Sequence, residues 1–215
     1  MYDLEGVGYI DISPELSTQS AVFPGDTKFS RNVQFDMKND DHMTLSNIQT
    51  TLHIGAHTDA PSHYQKSGEG ISERSLDYYM GPCQVIDVSS KVSRGGMIVS
   101  QDIEHVNIET SRVIFKTLTS MPNEWNDDFC YLSEALLKEL VILGVKLVGI
   151  DTPSIDKSDS KNLESHKIIS DNNMSILEGV ELSLVDEGKY QLIALPLKIK
   201  DGDASPVRAI LIPAV

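Results

Sequence analysis

Apolar positions in this chain come mostly in short blocks. Runs rich in β-branched and apolar residues recur at Tyr9 to Ile12, Gln84 to Val88, Arg112 to Lys116, Lys146 to Ile150, Gln191 to Leu195 and Val207 to Ile212, and each reads as a strand. A helical period replaces this pattern after Ser133, where EALLKELVIL sets Leu136, Leu137, Leu140 and Val141 on one face. Ser133 stands at the N-cap and Gly144 at the stop. Ser100 to Val106 predicts a shorter helix, and Ser165 to Ser170 a third that ends at Asn172 and Asn173. From Thr44 to Ile54 the chain alternates: Ile48, Leu52 and Ile54 share one face, and Asn47, Gln49, Thr51 and His53 the other. That predicts a half-buried strand with His53 at its end. Helices among many strands predict a mixed, β-rich α/β fold, and without a repeat or a Pro/Gly/Ser linker the expectation is one domain over 1–215.

Composition narrows the function. With 215 residues, 40% of them apolar and 23% charged, the chain suits a soluble globular protein. The longest apolar stretch, Leu136 to Ile150, is interrupted by Lys138, Glu139 and Lys146, so no segment reads as a membrane span of about 20 residues. The opening MYDLEGVGYIDIS is acidic and has no apolar core of the kind a secretory signal needs, which leads us to expect a cytoplasmic protein. Cys83 and Cys130 stand singly and read as reduced structural thiols. The net charge is −14 and the 18 basic residues are scattered, which argues against nucleic acid as a partner. Most of the acidic excess reads as solvated surface charge.

Residues 53 to 63 read HIGAHTDAPSH and concentrate three of the chain's six histidines with an aspartate. In a continuing strand His53 and His57 would be about 13 Å apart at ~3.3 Å per residue, whereas two nitrogens on one metal lie within about 3.5 Å. Gly55 and Pro61 disfavour a helix throughout. A bend at Gly55 and Ala56 would instead curl His53, His57, Asp59 and His63 around a point, a geometry suited to a metal. His42 and His105, isolated among polar residues, carry no such expectation.

HIGAHTDAPSH resembles the HxG(T/A)HxDxPxH signature of the cyclase-like metal-dependent hydrolases. The segments VFPGDTKF, GIDTPSIDKSDSKNLESHKII, ILEG and LIALPLKIKDGDASPVRAILI look like the formamidase branch of that family, in the same order, so the likeness covers nearly the whole chain. The resemblance implies a swivelling β/β/α fold with two divalent cations, zinc favoured and manganese acceptable. His53 and His57 would hold one cation and His166 the second, with Asp59 and Glu178 bridging and His63 as general acid/base. The twelve-residue interval from His166 to Glu178 is the family's own. The implied reaction is hydrolysis of N-formyl-L-kynurenine to L-kynurenine and formate, and the implied assembly a homodimer or higher homo-oligomer. Family members of this branch usually carry tryptophan directly before the PGD turn. Phe23 stands there in this chain, as the expected wall for the substrate's ring. The loops Asp151 to Ser154 and Asp203 to Pro206 are further candidates for the pocket border, although turn formation alone explains their composition. A sister hydrolase of isatin-type or other small amides shares the metal residues. A metal-binding protein without catalysis is a third reading, against which the retention of His63 counts, while Ala56 and the C-terminal third favour the formamidase.

Overall fold

Three of the expected strands lie side by side and parallel in the computed structural model, which describes residues 8–117 and 124–214. They are Met80–Asp87, Arg112–Lys116 and Leu147–Ile150, and Ser175–Leu177 joins them at the edge. On the other side of Met80–Asp87 the sheet turns antiparallel through Gly188–Ile193, Ile210–Pro213 and Ile10–Asp11, which completes seven strands. Residues 1–7, part of the stretch read for a leader, lie outside the described residues.

Every residue of Arg112–Lys116, Leu147–Ile150 and Ser175–Leu177 is buried, as parallel strands require when both faces are covered. Alternation sends Ile86, Val113, Phe115, Val148 and Ile150 to one face, where they pack with Leu136, Leu137 and Leu140 of the helix Glu134–Ile142 and with Ile168 and Ile169 of the helix Glu164–Asp171. Val85, Ile114, Leu147 and Leu177 point to the other face, against Ile71, Tyr79, Val180 and Leu182. The first helix begins as expected, with the Ser133 hydroxyl accepting from Leu136 N at 3.2 Å, and stops before Gly144 at φ +78°. The second has no side-chain cap at Leu163. The Asp156 carboxylate serves instead, accepting from Ser165 N at 2.9 Å and His166 N at 3.1 Å.

Three expectations need correction. Ser100 to Val106 forms only a 3-10 turn over Ser100–Ile103. Of Val207 to Ile212 only the end is strand: Ile210–Pro213 joins the large sheet, Val207 to Ala209 lie outside any strand, and the strand just before them, Ala204–Pro206, belongs to another sheet. The stretch Thr44 to Ile54 is not a half-buried strand. Leu45–Gln49 pairs with Ser30–Phe35 in a hairpin whose strand residues are all exposed, Ile48 at 62%, and His53 lies beyond it in a bend. Alternation states only that side chains take opposite sides; it does not state that either side meets the core. Cys83 and Cys130 are buried and unbridged.

Candidate active site

The histidine segment is carried to the carboxyl end of the parallel strands, where open α/β sheets place ligands. The short strand His57–Asp59 pairs antiparallel with Ala204–Pro206 on one side. On its other side His57 and Glu178 exchange backbone hydrogen bonds of 3.0 and 2.9 Å, so the first residue past Ser175–Leu177 is joined to the motif. The expected bend is present: Gly55 has φ +56°, and its carbonyl accepts from His57 Nδ1 at 2.9 Å. Gly179 is also left-handed at φ +65°, and a Cβ there would collide with the Gly55 carbonyl oxygen. Pro61 starts the single helical turn Pro61–Tyr64, which presents His63.

Five predicted residues converge. Asp59 Oδ1 lies 3.0 Å from His53 Nδ1 and 3.7 Å from His57 Nε2, while its Oδ2 lies 3.4 Å from His166 Nε2. Glu178 Oε2 lies 3.3 Å from His57 Nε2; its Oε1 is 3.9 Å from His166 Nε2 and accepts from Ile155 N at 2.8 Å. Asp59 therefore faces His53 and His57 with one oxygen and His166 with the other, and Glu178 faces His57 with one and His166 with the other. Among the described residues, three groups are placed to hold a cation: His53, His57 and Asp59; Asp59, His166 and Glu178; and, at the more exposed edge, His53, His63 and Asp203. His63 stands at the edge of this cluster, its ring centroid 4.2 Å from that of His53 and its Nδ1 3.8 Å from Asp203 Oδ2.

The donor set suits metal. Asp59 Oδ1 is buried without a hydrogen-bond donor aligned on it, a costly state that a cation relieves. The outward nitrogens of the three histidines are also occupied. His57 Nδ1 is held by Gly55 O, His166 Nδ1 stands 2.6 Å from Asp156 Oδ2, and His53 Nε2 stands 3.0 Å from Asp203 Oδ2. Such outer partners fix tautomer and ring plane, leaving the inner nitrogens turned toward the carboxylates.

Electrostatics agree with a site built for positive charge. Burial alone would pull His166 down, but Asp156 and Asp59 outweigh it and raise the imidazole to about 10. Burial likewise opposes the carboxylates around His53, and Asp59 and Asp203 raise it to about 9. Asp59 is held well below the usual carboxylate range: burial opposes this, and His166 and His53 prevail. His63 goes the other way: burial lowers it, Asp59 opposes, and the neighbouring His53 and His166 add to the lowering.

Phe23 lines the same pocket, 53% exposed, with Trp125 meeting it edge-on at 5.2 Å. Of the two candidate loops, Pro153 and Ser154 border the pocket and Asp203 reaches His53. Asp151 is instead buried, accepting from Thr117 N at 2.8 Å and Oγ1 at 2.6 Å in a structural role. His105 pairs with Glu187 at 3.3 Å and His42 lies near the Phe35 ring, both outside the cluster. Sequence reasoning missed Asp156, ten residues before His166, and Trp125, because no local pattern marks either one.

A mixed sheet with a histidine and carboxylate cluster at its parallel strand ends defines a class. Residues 10–157 match the model of the family described as "Putative cyclase", and the chain belongs to that family. It is 41% identical to the kynurenine formamidase of Delftia acidovorans over 202 residues, 94% of this chain and 95% of that protein. It is also 41% identical to the kynurenine formamidase of Bordetella pertussis over 203 residues, 94% of this chain and 96% of that protein. A solved structure described as a potential metal-dependent hydrolase with cyclase activity superposes with a TM-score of 0.83 at 26% identity, covering 98% of this chain and 100% of that one. Isatin hydrolase A from Labrenzia aggregata, bound to benzyl benzoate, shares the fold with a TM-score of 0.81 at 22% identity, over 97% of this chain and 94% of that one. The family and fold expected from the motif are the ones observed. Among the described residues no helix is long and apolar enough to cross a membrane.

Proposed function

We propose that this chain hydrolyses N-formyl-L-kynurenine to L-kynurenine and formate. The observation that carries the reading is the pair of carboxylates, Asp59 and Glu178, each turned toward histidines on two sides within a pocket that Phe23 also lines. Likeness to kynurenine formamidases over 94% of the chain supports it. In this reading His53 and His57 hold one cation, His166 holds another, and Asp59 and Glu178 span both. Bridging carboxylates reduce the repulsion between two cations a few ångströms apart. A ligand set of imidazole and carboxylate suits zinc, with manganese acceptable.

When bound, the cations supply a water of lowered pKa and a positive charge that polarises the formyl oxygen. The rest of the reaction is a problem of proton movement. An aryl amide nitrogen leaves poorly as an anion, so it must be protonated as the C–N bond breaks. His63, lowered by burial and with its nearest carboxylate, Asp203, at 3.8 Å rather than in hydrogen-bond contact, takes the proton from the attacking water and returns it to that nitrogen. Phe23 orients the substrate by packing on its ring. The chain acts as one domain over 1–215 in the cytoplasm, as a homodimer or higher homo-oligomer. The exposed Val33, Phe35 and Ile48 of the hairpin support self-association.

The test is hydrolysis of N-formyl-L-kynurenine by the purified protein, followed by kynurenine absorbance, with metal content measured on the same sample before chelation and after zinc restoration. Rapid, chelator-sensitive turnover with about two metals per chain is expected. A fully metallated protein inert toward this substrate would move the function to a sister amide hydrolase of the isatin type.

A further inference from the structure

Phe23 is a half-open ring at the pocket mouth, and a single open phenylalanine makes only part of a wall. The fold brings two more rings to it from more than a hundred residues along the chain. Trp125 meets Phe23 with centroids 5.2 Å apart and planes at 80°, and meets Phe129 at 5.8 Å and 85°. Trp125 is thus the centre of a row of three rings, and all three line the pocket that holds His53, Asp59 and His63. Its Nε1–H donates to Asp127 Oδ1 at 2.7 Å, which satisfies the indole's polar edge and fixes its orientation. The ring is only partly buried, so it retains open surface for a flat ligand.

We propose that Trp125 is a specificity-determining residue that, together with Phe23, forms the wall receiving the aryl ring of the substrate. The inference rests on the reading of the site as one for aryl amides. An edge-to-face aromatic pair leaves ring faces free for a third ring, and each such contact adds to affinity beyond the area it covers. A residue with this role, remote from the reacting atoms, strengthens binding of ground state and transition state alike, so its loss raises KM and leaves kcat nearly untouched.

Trp125 is the chain's single tryptophan, so its emission reports on this wall alone. The experiment titrates the zinc-loaded protein with L-kynurenine while following that emission, then measures kcat and KM for Trp125→Ala and Trp125→Phe. Far-UV circular dichroism and metal content are checked on each variant. Saturable quenching is expected, since binding saturates whereas simple absorption by the ligand does not. KM should rise about tenfold in Trp125→Ala and about threefold in Trp125→Phe, with kcat within about threefold of the parent. Unchanged KM in a folded, metallated Trp125→Ala protein, or emission indifferent to L-kynurenine in an active enzyme, overturns the inference. If the parent protein does not cleave N-formyl-L-kynurenine, it is the formamidase reading that has failed. Titration with formanilide, an aryl amide without the amino-acid group, then decides: saturable quenching upholds the wall, and its absence overturns it.

Discussion

The floor and the rim of this pocket use the same residue types in opposite states. On the floor, the side chains of His57, Asp59, His166 and Glu178 are 5% exposed or less, and each histidine has its outer nitrogen held by a carbonyl or carboxylate. On the rim, His53 is 21%, His63 36% and Asp203 50% exposed, and the nearest carboxylate to His63 stands at 3.8 Å, beyond hydrogen-bond range. Under the proposed function, the difference separates two tasks. Ligands that span two cations must stay within a few tenths of an ångström, which burial and outer partners secure. A group that carries a proton from water to a leaving nitrogen must reach both, which demands freedom and a neutral resting state.

The largest effect should come from the floor. Asp59→Ala removes the oxygens that face three histidines, so both metal and turnover should be lost, the latter by about 10⁴ or more. Elemental analysis of the purified variant decides this, and a variant retaining two metals would break the division. His63→Ala should keep its metal and lose turnover by about 10² or more. Should it instead be isolated metal-free, His63 belongs to the metal site with His53 and the division of roles disappears. Asp156→Asn keeps a helix-capping oxygen but not the charge beside His166. Metal affinity should fall about 10- to 100-fold in competition with a chelator, while the fold is kept. Gly179→Ala forces a side chain into a left-handed position against the Gly55 carbonyl that orients His57. It should lower stability by about 2 kcal/mol, measured by denaturant unfolding of the metal-free protein. A variant as stable as the parent would show that the floor is softer than its packing implies.

The local parts of the fold were legible along the chain. Ser133 and Gly144 bounded their helix, the apolar runs became the strands of one sheet, and Gly55 bent the chain so that His53, His57 and Asp59 meet. Each depends on backbone preferences and side chains a few residues apart, which a linear pattern records. It could not tell a half-buried strand from an exposed one. The alternation in Leu45–Gln49 is compatible with both, and only the position of the hairpin outside the core decides between them. The second half of the metal cluster was legible only through likeness to a family, because His166 sits on a helix and Glu178 at a strand end with nothing local to single them out. Tertiary structure alone decided that Glu178 is bonded to His57 across an isolated bridge, that Asp156 both caps a helix and braces His166, and that Trp125 closes on Phe23. These contacts join residues made neighbours by strand order and sheet register, and both are set by how two apolar faces are covered, over the whole chain at once.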